Sequence, residues 1–393
     1  MPDAHATLDV GCGGSKRSRV TARCEFAGLD LLRLVACVSV LLYHFSFRGA
    51  ARDGMSTFAV PSIQFASKYG FFGVDLFFVI SGFVIPYSAA GRTATHFLIS
   101  RFVRLYPAFI ICMPVSFTIA YLFGAPAIKV TFAQLAANLV ILSPLFHQGF
   151  VDGVYWSIVC EIIFYAWIFV VILLRMPEGR TPFLVLTWLS LSALNESSLQ
   201  SATLTWAMLT KYSGFFAVGV MLHHVRFHQC NLLSQATLLA AALLANAQLT
   251  NDIDYHNRYY AGTDFDPTIA LAVCWAAILC VGAVVFFERC DKRPHLALLA
   301  GGITYPLYLL HQNIGYIAFN RLAIGLRPEV ELVLVTCGLS FASWIVWRFV
   351  ERPAQRRLKA ALLSSVPLRL SRSIHGHGAW LGRRGLTETT GGT

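Results

Sequence analysis

Charged side chains are scarce in this sequence. Asp, Glu, Lys and Arg make up 13% of the 393 residues, and apolar types make up 56%, whereas a soluble globular protein carries about 25% charged residues. The apolar residues come in blocks of about 20 that short polar loops separate, as in helices that cross a bilayer. The composition therefore excludes an ordinary soluble domain and predicts an all-α, polytopic membrane protein.

Acidic residues are scarcer still, with 20 Asp and Glu against 31 Lys and Arg, for a net charge of +11. Such a charge would also suit a nucleic-acid-binding protein. Here, however, the basic residues lie in alternate loops and in both tails, as the positive-inside rule predicts. We expect a lipid bilayer as surroundings, no nucleic-acid partner, and both termini in the cytoplasm. The loops assigned to the cytoplasmic side carry Arg92, Arg101, Arg104, Arg175, Arg180, Arg226, Arg289, Lys292 and Arg293.

The ten cysteines include no CxxC pair and fall mostly in apolar blocks, where cysteine behaves as a small hydrophobic residue. The sequence therefore indicates neither a disulfide framework nor a metal site. The first residues are polar and basic, so they predict a cytoplasmic tail rather than a cleavable signal peptide.

Ten apolar segments predict ten transmembrane helices in a multi-pass protein of the cell's inner (plasma) membrane. The predicted organisation is an N-terminal tail (1–27), a membrane domain (28–353) and a basic, partly disordered C-terminal tail (354–393). The predicted spans are 29–47, 70–88, 105–123, 154–174, 182–199, 203–222, 232–249, 266–287, 298–320 and 329–349.

The first apolar segment carries three ionisable residues, Asp30, Arg33 and His44. Helical geometry places His44 roughly 20° around the axis from Arg33 and roughly 16 Å further along it, with Asp30 on the same stripe. Because ionisable groups inside a membrane helix cost several kcal/mol, they mark a functional site by default.

Further polar residues occur at the ends or in the middle of other apolar segments. Arg101 and Arg104 are spaced to share one helix face, which suits either phosphate binding or membrane anchoring. Ser81 and Gly82 lie in mid-membrane, where glycine permits close helix packing or close approach of a ligand. Glu161 lies one turn inside an apolar helix. It needs a partner, which is either an imidazole or an arginine such as Arg33.

The ninth segment aligns three polar residues, Tyr305, Tyr308 and His311, at intervals of three around Pro306. Arg348 and Glu351 end the tenth segment and are expected to cap that helix. An acidic, aromatic stretch from Asn251 to Asp266 is either a solvated loop or a binding site for sugar or a cation.

Taken in order, these motifs resemble the acyltransferase-3 family of integral membrane O-acyltransferases, which includes O-antigen and exopolysaccharide O-acetylases. The resemblance covers about Phe26 to Pro353. It rests on Leu29-Asp30 and Arg33-x10-His44, Phe71 to Phe83, Arg101-x-x-Arg104-x-x-Pro107, Trp156-Ser157 with Glu161 and Tyr165, Tyr305-x-x-Tyr308-x-x-His311, and Val350-Glu351-x-Pro353.

Two positions depart from the family pattern. Leu31 stands where the family commonly has glycine, and Gln312 stands where it often has tryptophan. We also expect no soluble esterase-like domain of the kind that many relatives carry. The first two changes leave the charged groups in place but affect local packing and the fit of the acceptor.

The resemblance implies transfer of an acyl group, typically acetyl, from acyl-CoA to a hydroxyl of a carbohydrate or other envelope acceptor. Acetyl-CoA would be the donor substrate, with no bound cofactor. We hypothesise that His44 is the general base, because imidazole titrates near neutral pH, and that Glu161 orients it or stabilises its imidazolium. Arg101 and Arg104 would hold the CoA phosphates, and Arg33 would line the path between them and His44.

Four further residues are assigned to substrate binding without a more specific role. Ser81, Tyr308 and His311 would contact the thioester or the acceptor, while Asp30 would act with Arg33 or only neutralise it. The alternative function is a transporter or flippase that moves a lipid-linked sugar through the same polar path without acyl transfer. The sequence specifies neither the acceptor, the acyl chain length nor the oligomeric state.

Overall fold

The computed structural model describes residues 26–260, 264–288, 294–322 and 325–364. Every regular element in these ranges is helical and none is a strand, which confirms the all-α prediction. The tail before residue 26, the loop residues Arg289, Lys292 and Arg293, and the tail beyond residue 364 lie outside the described residues. The predictions made for them remain predictions.

The described ranges contain fourteen α-helices. In chain order they are α1 (Ala27–Tyr43), α2 (Pro61–Ser67), α3 (Phe72–Ala89), α4 (Ala94–Phe123), α5 (Phe132–Asn138), α6 (Trp156–Leu173), α7 (Thr181–Leu194), α8 (Ala202–Ala207), α9 (Ser213–Phe227), α10 (Leu232–Tyr259), α11 (Pro267–Phe287), α12 (His295–Leu322), α13 (Pro328–Ile345) and α14 (Arg352–Ser364). Wider π-helical turns follow α1 (His44–Asp53), α7 (Asn195–Leu199) and α13 (Val346–Glu351).

Seven helical spans in the described ranges are long and apolar enough to cross a membrane, so the protein is a multi-pass membrane protein. All ten predicted segments contain helix. Those at 182–199, 203–222 and 298–320, however, correspond to α7, α8 with α9, and α12, which are not among the seven. The count of ten crossings remains a prediction. The seven spans are Ala27–Ala50, Pro61–Ala89, Ala94–Phe123, Gly153–Leu173, Leu232–Tyr259, Pro267–Phe287 and Pro328–Ser364.

The centre of the bundle consists of α1, α3, α9 and α12. Helices α3 and α9 approach until their backbones touch, because both have glycine at the contact. A Cβ on Gly82 would lie 2.1 Å from the carbonyl oxygen of Phe216, and one on Gly219 would lie 2.1 Å from that of Val79. Gly82 is therefore a packing residue, and its neighbour Ser81 faces a cavity.

The outer helices expose large apolar side chains, as expected where lipid replaces water. Phe287 at the end of α11 and Leu232 at the start of α10 are 83% and 82% exposed. Helix α14 continues from α13 through the π-helical turn. The predicted boundary at residue 353 therefore falls within a continuous helical segment.

Candidate active site

His44 and His311 form a buried pair at the centre of the bundle. His44 begins the π-helical turn that follows α1, and His311 lies in the middle of α12. Nδ1 of His44 lies 3.1 Å from Nε2 of His311, and the two residues are 4% and 0% exposed. The sequence singled out both histidines but did not predict that they touch.

The hydrogen bonds of this pair determine which ring nitrogens carry protons when both rings are neutral. Nδ1 of His311 lies 2.8 Å from the carbonyl oxygen of Tyr308, and a carbonyl only accepts. Nδ1 of His311 is therefore protonated, its Nε2 accepts, and Nδ1 of His44 donates. This leaves Nε2 of His44 with the free lone pair, as a general base requires.

A glycine on α12 allows the turn that carries His44 to approach His311. A Cβ on Gly315 would lie 2.2 Å from the ring of Phe45, the residue after His44. The ring of Phe45 occupies that space and is 1% exposed. The ring of Phe45 and the lack of a side chain at Gly315 therefore determine how closely the turn packs on α12.

Three arginines line one cavity of about 240 Å³. The predicted site residues Arg33, Arg101 and Arg104 come from α1 and α4 and meet there, as the sequence hypothesis requires. We call this the arginine cavity. Its other polar lining residues are Ser81, Ser157, Glu161, Tyr165, Thr304, Tyr305 and Tyr308.

The three arginines differ in how they are held. Arg33 forms a 3.0 Å ion pair with Asp30 one turn earlier in α1, and Arg104 forms a 2.8 Å ion pair with Glu351. Arg101 lies 5.6 Å from the ring centroid of Tyr165, and among the described residues it has no ion pair. Arg101 is therefore the arginine whose charge is least neutralised.

The pair of Arg104 with Glu351 differs from the helix cap that the sequence predicted. Glu351 is 1% exposed and turns inward to Arg104 and to Gln355, whose Nε2 donates to it at 2.8 Å. Arg348, the other residue expected to cap the helix, lines a groove on the outside of the bundle.

The hypothesis that Glu161 orients His44 is not supported by the geometry. Glu161 lines the arginine cavity, where it accepts a hydrogen bond from Tyr165. His44 lines a different cavity, and its ring is hydrogen-bonded to His311 and to the backbone of Val40. The alternative of a direct ion pair with Arg33 is not seen either among the described residues, since Arg33 pairs with Asp30.

The opposite directions of α6 and α12 explain where Glu161 lies. Before α6, Asp152 accepts from the backbone N–H of Asn313 at 3.0 Å. One turn further on, the hydroxyls of Ser157 and Tyr308 lie 2.8 Å apart. The next turn of α6 therefore brings Glu161 towards the Tyr305 end of α12, and both residues line the arginine cavity. His311 lies six residues away from Tyr305, roughly 9 Å along the helix.

Asp152 and Asn313 form a buried clamp that the sequence analysis missed. The side-chain amide of Asn313 donates to the carbonyl of Val151 at 2.8 Å, and Asp152 also accepts from the N–H of Val154 at 3.2 Å. This clamp fixes the start of α6 against α12 near His311. An aspartate before an apolar helix was the available signal, because it suits a helix cap.

His44 opens onto a second, larger cavity of about 450 Å³. It combines flat aromatic rings with amide and carboxyl groups, and we call it the polar-aromatic cavity. The predicted loop from Asn251 is in fact the end of α10, and it supplies part of this wall. The lining includes Arg48, Asp75, Trp156, Glu196, Lys211, Tyr212, Gln248, Asn251, Asp252, Tyr255, His256, Tyr259, Tyr260 and Gln312.

Tyr308 lines both cavities. Its hydroxyl contacts Ser157, and its carbonyl holds His311. The predicted substrate-binding residues therefore divide into two groups. Ser81, Arg33, Arg101 and Arg104 lie at one cavity, the histidine pair lies beside the other, and Tyr308 stands between them.

Comparison with known proteins identifies the family. No curated protein and no solved structure matches the chain. A family model described as an acyltransferase domain matches residues 26–349, which includes every residue of both cavities. The chain therefore belongs to the acyltransferase-3 family of membrane proteins.

Proposed function

We propose that the protein transfers an acyl group, typically acetyl, from acyl-CoA to a hydroxyl of a carbohydrate or another acceptor of the cell envelope. One observation carries the proposal: the arginine cavity and the polar-aromatic cavity share Tyr308 as a wall, and the carbonyl of Tyr308 holds His311, the partner of His44. A transferase for two chemically different substrates needs such an arrangement.

The arginine cavity suits the phosphates of the donor. Guanidinium groups bind phosphate oxygens through paired, charge-assisted hydrogen bonds. Arg101, which has no ion pair within the described ranges, would bind most directly, while Arg104 would share its charge with Glu351. The acyl-pantetheine arm would then extend past Ser81 and Ser157 towards Tyr308, in a lining that excludes much of the water able to hydrolyse the thioester.

His44 would act as the general base in the transfer step. Its Nε2 takes the proton of the acceptor hydroxyl while the hydroxyl oxygen attacks the thioester carbonyl. The C–S bond then breaks, and the CoA thiolate leaves and takes the proton from the imidazolium. His311 holds the ring of His44 in the productive tautomer and shares the positive charge that develops on it.

The polar-aromatic cavity suits a sugar as acceptor. Aromatic rings such as those of Trp156 and Tyr212 offer flat apolar surfaces to the C–H face of a pyranose. Asn251, Asp252 and Gln312 offer hydrogen-bond acceptors and donors for its hydroxyls.

We further propose ten membrane crossings in the inner membrane with both termini in the cytoplasm, on the basis of the basic loops. The arginine cavity would then open on the cytoplasmic side, where acyl-CoA is made. The polar-aromatic cavity would lie nearer the outer face, and the acyl group would cross between them.

Labelled acetyl transfer tests this function. The purified protein in lipid nanodiscs would be incubated with [14C]acetyl-CoA and glycan from the cell envelope, and label in the glycan would be counted. The proposal predicts ester-linked label that mild alkali releases, and at least about 100-fold slower labelling with H44A, since general base catalysis contributes about 10²–10⁴-fold. His147→Ala, which changes an exposed histidine, is the matched control. Movement of a lipid-linked sugar without CoA dependence or label transfer would instead establish the transporter.

A further inference from the structure

A groove on the outside of the bundle combines an apolar floor with an arginine rim. It lies between the start of α12 and the end of α13, and its volume is about 440 Å³. The floor consists of leucines and tryptophans, and Arg348 and Arg352 stand above it. The full lining is His295, Leu296, Leu298, Leu299, Trp344, Trp347, Arg348 and Arg352.

Another cavity, of about 430 Å³, lies next to the arginine rim of this groove, and its lining is almost entirely basic. Arg348 and Arg352 line it together with Pro353, Arg356 and Arg357. Among the described residues none of these four arginines forms an ion pair, and Arg348, Arg356 and Arg357 are exposed. Such uncompensated positive charge beside an apolar groove calls for an anion with an apolar part.

The arginines of the groove lie at the boundary between the headgroup zone and the hydrocarbon core. The helical span that begins at Pro328 runs to Ser364 and has 37 residues, more than the roughly 20 that cross the hydrocarbon core. Counting 20 residues from Pro328 ends at Trp347, and Arg348 follows at once. The arginines therefore begin where the headgroup zone begins.

The opposite side of this helical segment packs against the rest of the protein. Glu351 and Gln355 face α4, where Glu351 pairs with Arg104. The arginines are thereby kept towards the outside. The ring of Trp347 is seated against Gly302, where a Cβ would lie 2.1 Å from it, and the guanidinium of Arg352 lies 5.1 Å from its centroid.

We propose that this groove binds one anionic phospholipid, with its phosphate between Arg348 and Arg352, its glycerol region beside Leu296 and Leu299, and the start of one acyl chain against Trp344. Charge complementarity favours an anionic over a zwitterionic headgroup. The apolar floor favours a lipid over a free phosphate, because only an acyl chain covers it. Leu296 is 64% exposed on this floor.

Brominated lipids test the proposal, because bromine on an acyl chain quenches tryptophan fluorescence only at contact. The full-length protein would be placed in nanodiscs of phosphatidylcholine and phosphatidylglycerol, with bromine on one lipid or the other. Brominated phosphatidylglycerol should quench more than its equimolar phosphatidylcholine counterpart. The excess should disappear in W344F/W347F, which identifies the two groove tryptophans as its source.

The arginine requirement is tested with R348Q/R352Q, compared with R175Q/R180Q, which removes two exposed arginines outside the groove. Each arginine near the membrane surface is expected to raise the local affinity for an anionic lipid about fivefold. R348Q/R352Q should therefore lower the affinity of the groove for phosphatidylglycerol roughly 25-fold. The control R175Q/R180Q should keep the preference for phosphatidylglycerol over phosphatidylcholine. Equal quenching by both lipids, or an excess that survives in R348Q/R352Q, would overturn the proposal. Reversal of quenching by inorganic phosphate would assign the site to a free anion instead.

Discussion

The imidazoles of His44 and His311 are joined by a hydrogen bond of 3.1 Å between residues 267 positions apart in sequence. Since the carbonyl of Tyr308 fixes the proton on Nδ1 of His311, the neutral pair presents Nε2 of His44 as its free base. In the proposed mechanism, the partner that orients the base is thus a second histidine, and the carboxylate of Glu161 lines the arginine cavity.

Replacing His44 should nearly abolish transfer. H44A removes the proposed base, and general base catalysis contributes about 10²–10⁴-fold to a rate. We expect kcat for acetyl transfer to fall by that factor with little change in the KM for acetyl-CoA, because the arginine cavity is intact. H147A should behave as wild type. Wild-type turnover by well-folded H44A would remove His44 from this role.

Replacing His311 should act through His44. H311A removes the acceptor of the Nδ1 proton of His44, so we expect kcat to fall by about 10–100-fold, less than for H44A. If the histidines work as a unit, H44A/H311A should be no slower than H44A alone. Multiplicative losses in the double variant would show that His311 has a separate role.

How much of this site was predictable depends on whether local or tertiary geometry decides it. The spacing of Arg101 and Arg104 within one helix correctly predicted a shared face. The stripe from Arg33 to His44 was predicted by counting α-helical turns, but the helix widens into a π-helical turn at His44, so that count ends at Tyr43.

The partners of Glu161 and His44 required knowledge of how α6 packs on α12. The depth of a residue in a membrane helix can be predicted only if the residue at which the helix begins is known. Helix α6 begins at Trp156, after a short 3₁₀ turn. The antiparallel contact then places Ser157, not Glu161, against Tyr308. The Asp152–Asn313 clamp arises from the same contact, so a linear reading of the sequence had no means to pair them.

Substitutions of Arg101 and Arg104 in the arginine cavity should differ in their effect on stability. R101Q and R104Q should both raise the KM for acetyl-CoA, because each removes a cation from the cavity. R104Q also leaves the buried Glu351 without its partner. Because the side chain of Arg104 is 38% exposed, we expect a cost of about 1–2 kcal/mol rather than the full penalty of a buried pair. Thermal unfolding in nanodiscs measures this difference.

The double change R104Q/E351Q provides the control for that assignment. Replacing both partners removes the unpaired carboxylate, so stability should recover while the KM for acetyl-CoA stays high. R101Q should unfold like wild type, since Arg101 has no ion pair among the described residues. A melting temperature that fell equally in R101Q and R104Q would contradict the distinction.

The close packing of the His44 turn on α12 should depend on Gly315. G315A adds a methyl group 2.2 Å from the ring of Phe45, so the turn must move and His44 with it. Overpacking typically costs about 1–3 kcal/mol, and we expect a large loss of kcat as well. F45A should partly restore activity to G315A by making room.

Gly338 offers the matched control for this substitution. It lies within α13 with open space where a Cβ would stand, so G338A should be neutral or slightly stabilising. Acetyl transfer and thermal unfolding would be measured for all three variants. Full activity of G315A would show that the histidine pair does not require this packing.

A substitution in the polar-aromatic cavity should weaken acceptor binding and leave acetyl-CoA binding unchanged. Tyr255 lines it and is 56% exposed, so Y255A should remove a stacking surface without a large loss of stability. An aromatic contact of this kind is worth about 0.5–1.5 kcal/mol beyond its buried area, which corresponds to a roughly two- to twelvefold rise in acceptor KM. The KM for acetyl-CoA should be unchanged.

Y121A, which changes a tyrosine on α4 that is 53% exposed and lines neither cavity, should leave both constants as they are. If Y255A instead raised the KM for acetyl-CoA, the donor would occupy the polar-aromatic cavity and the two assignments would have to be exchanged.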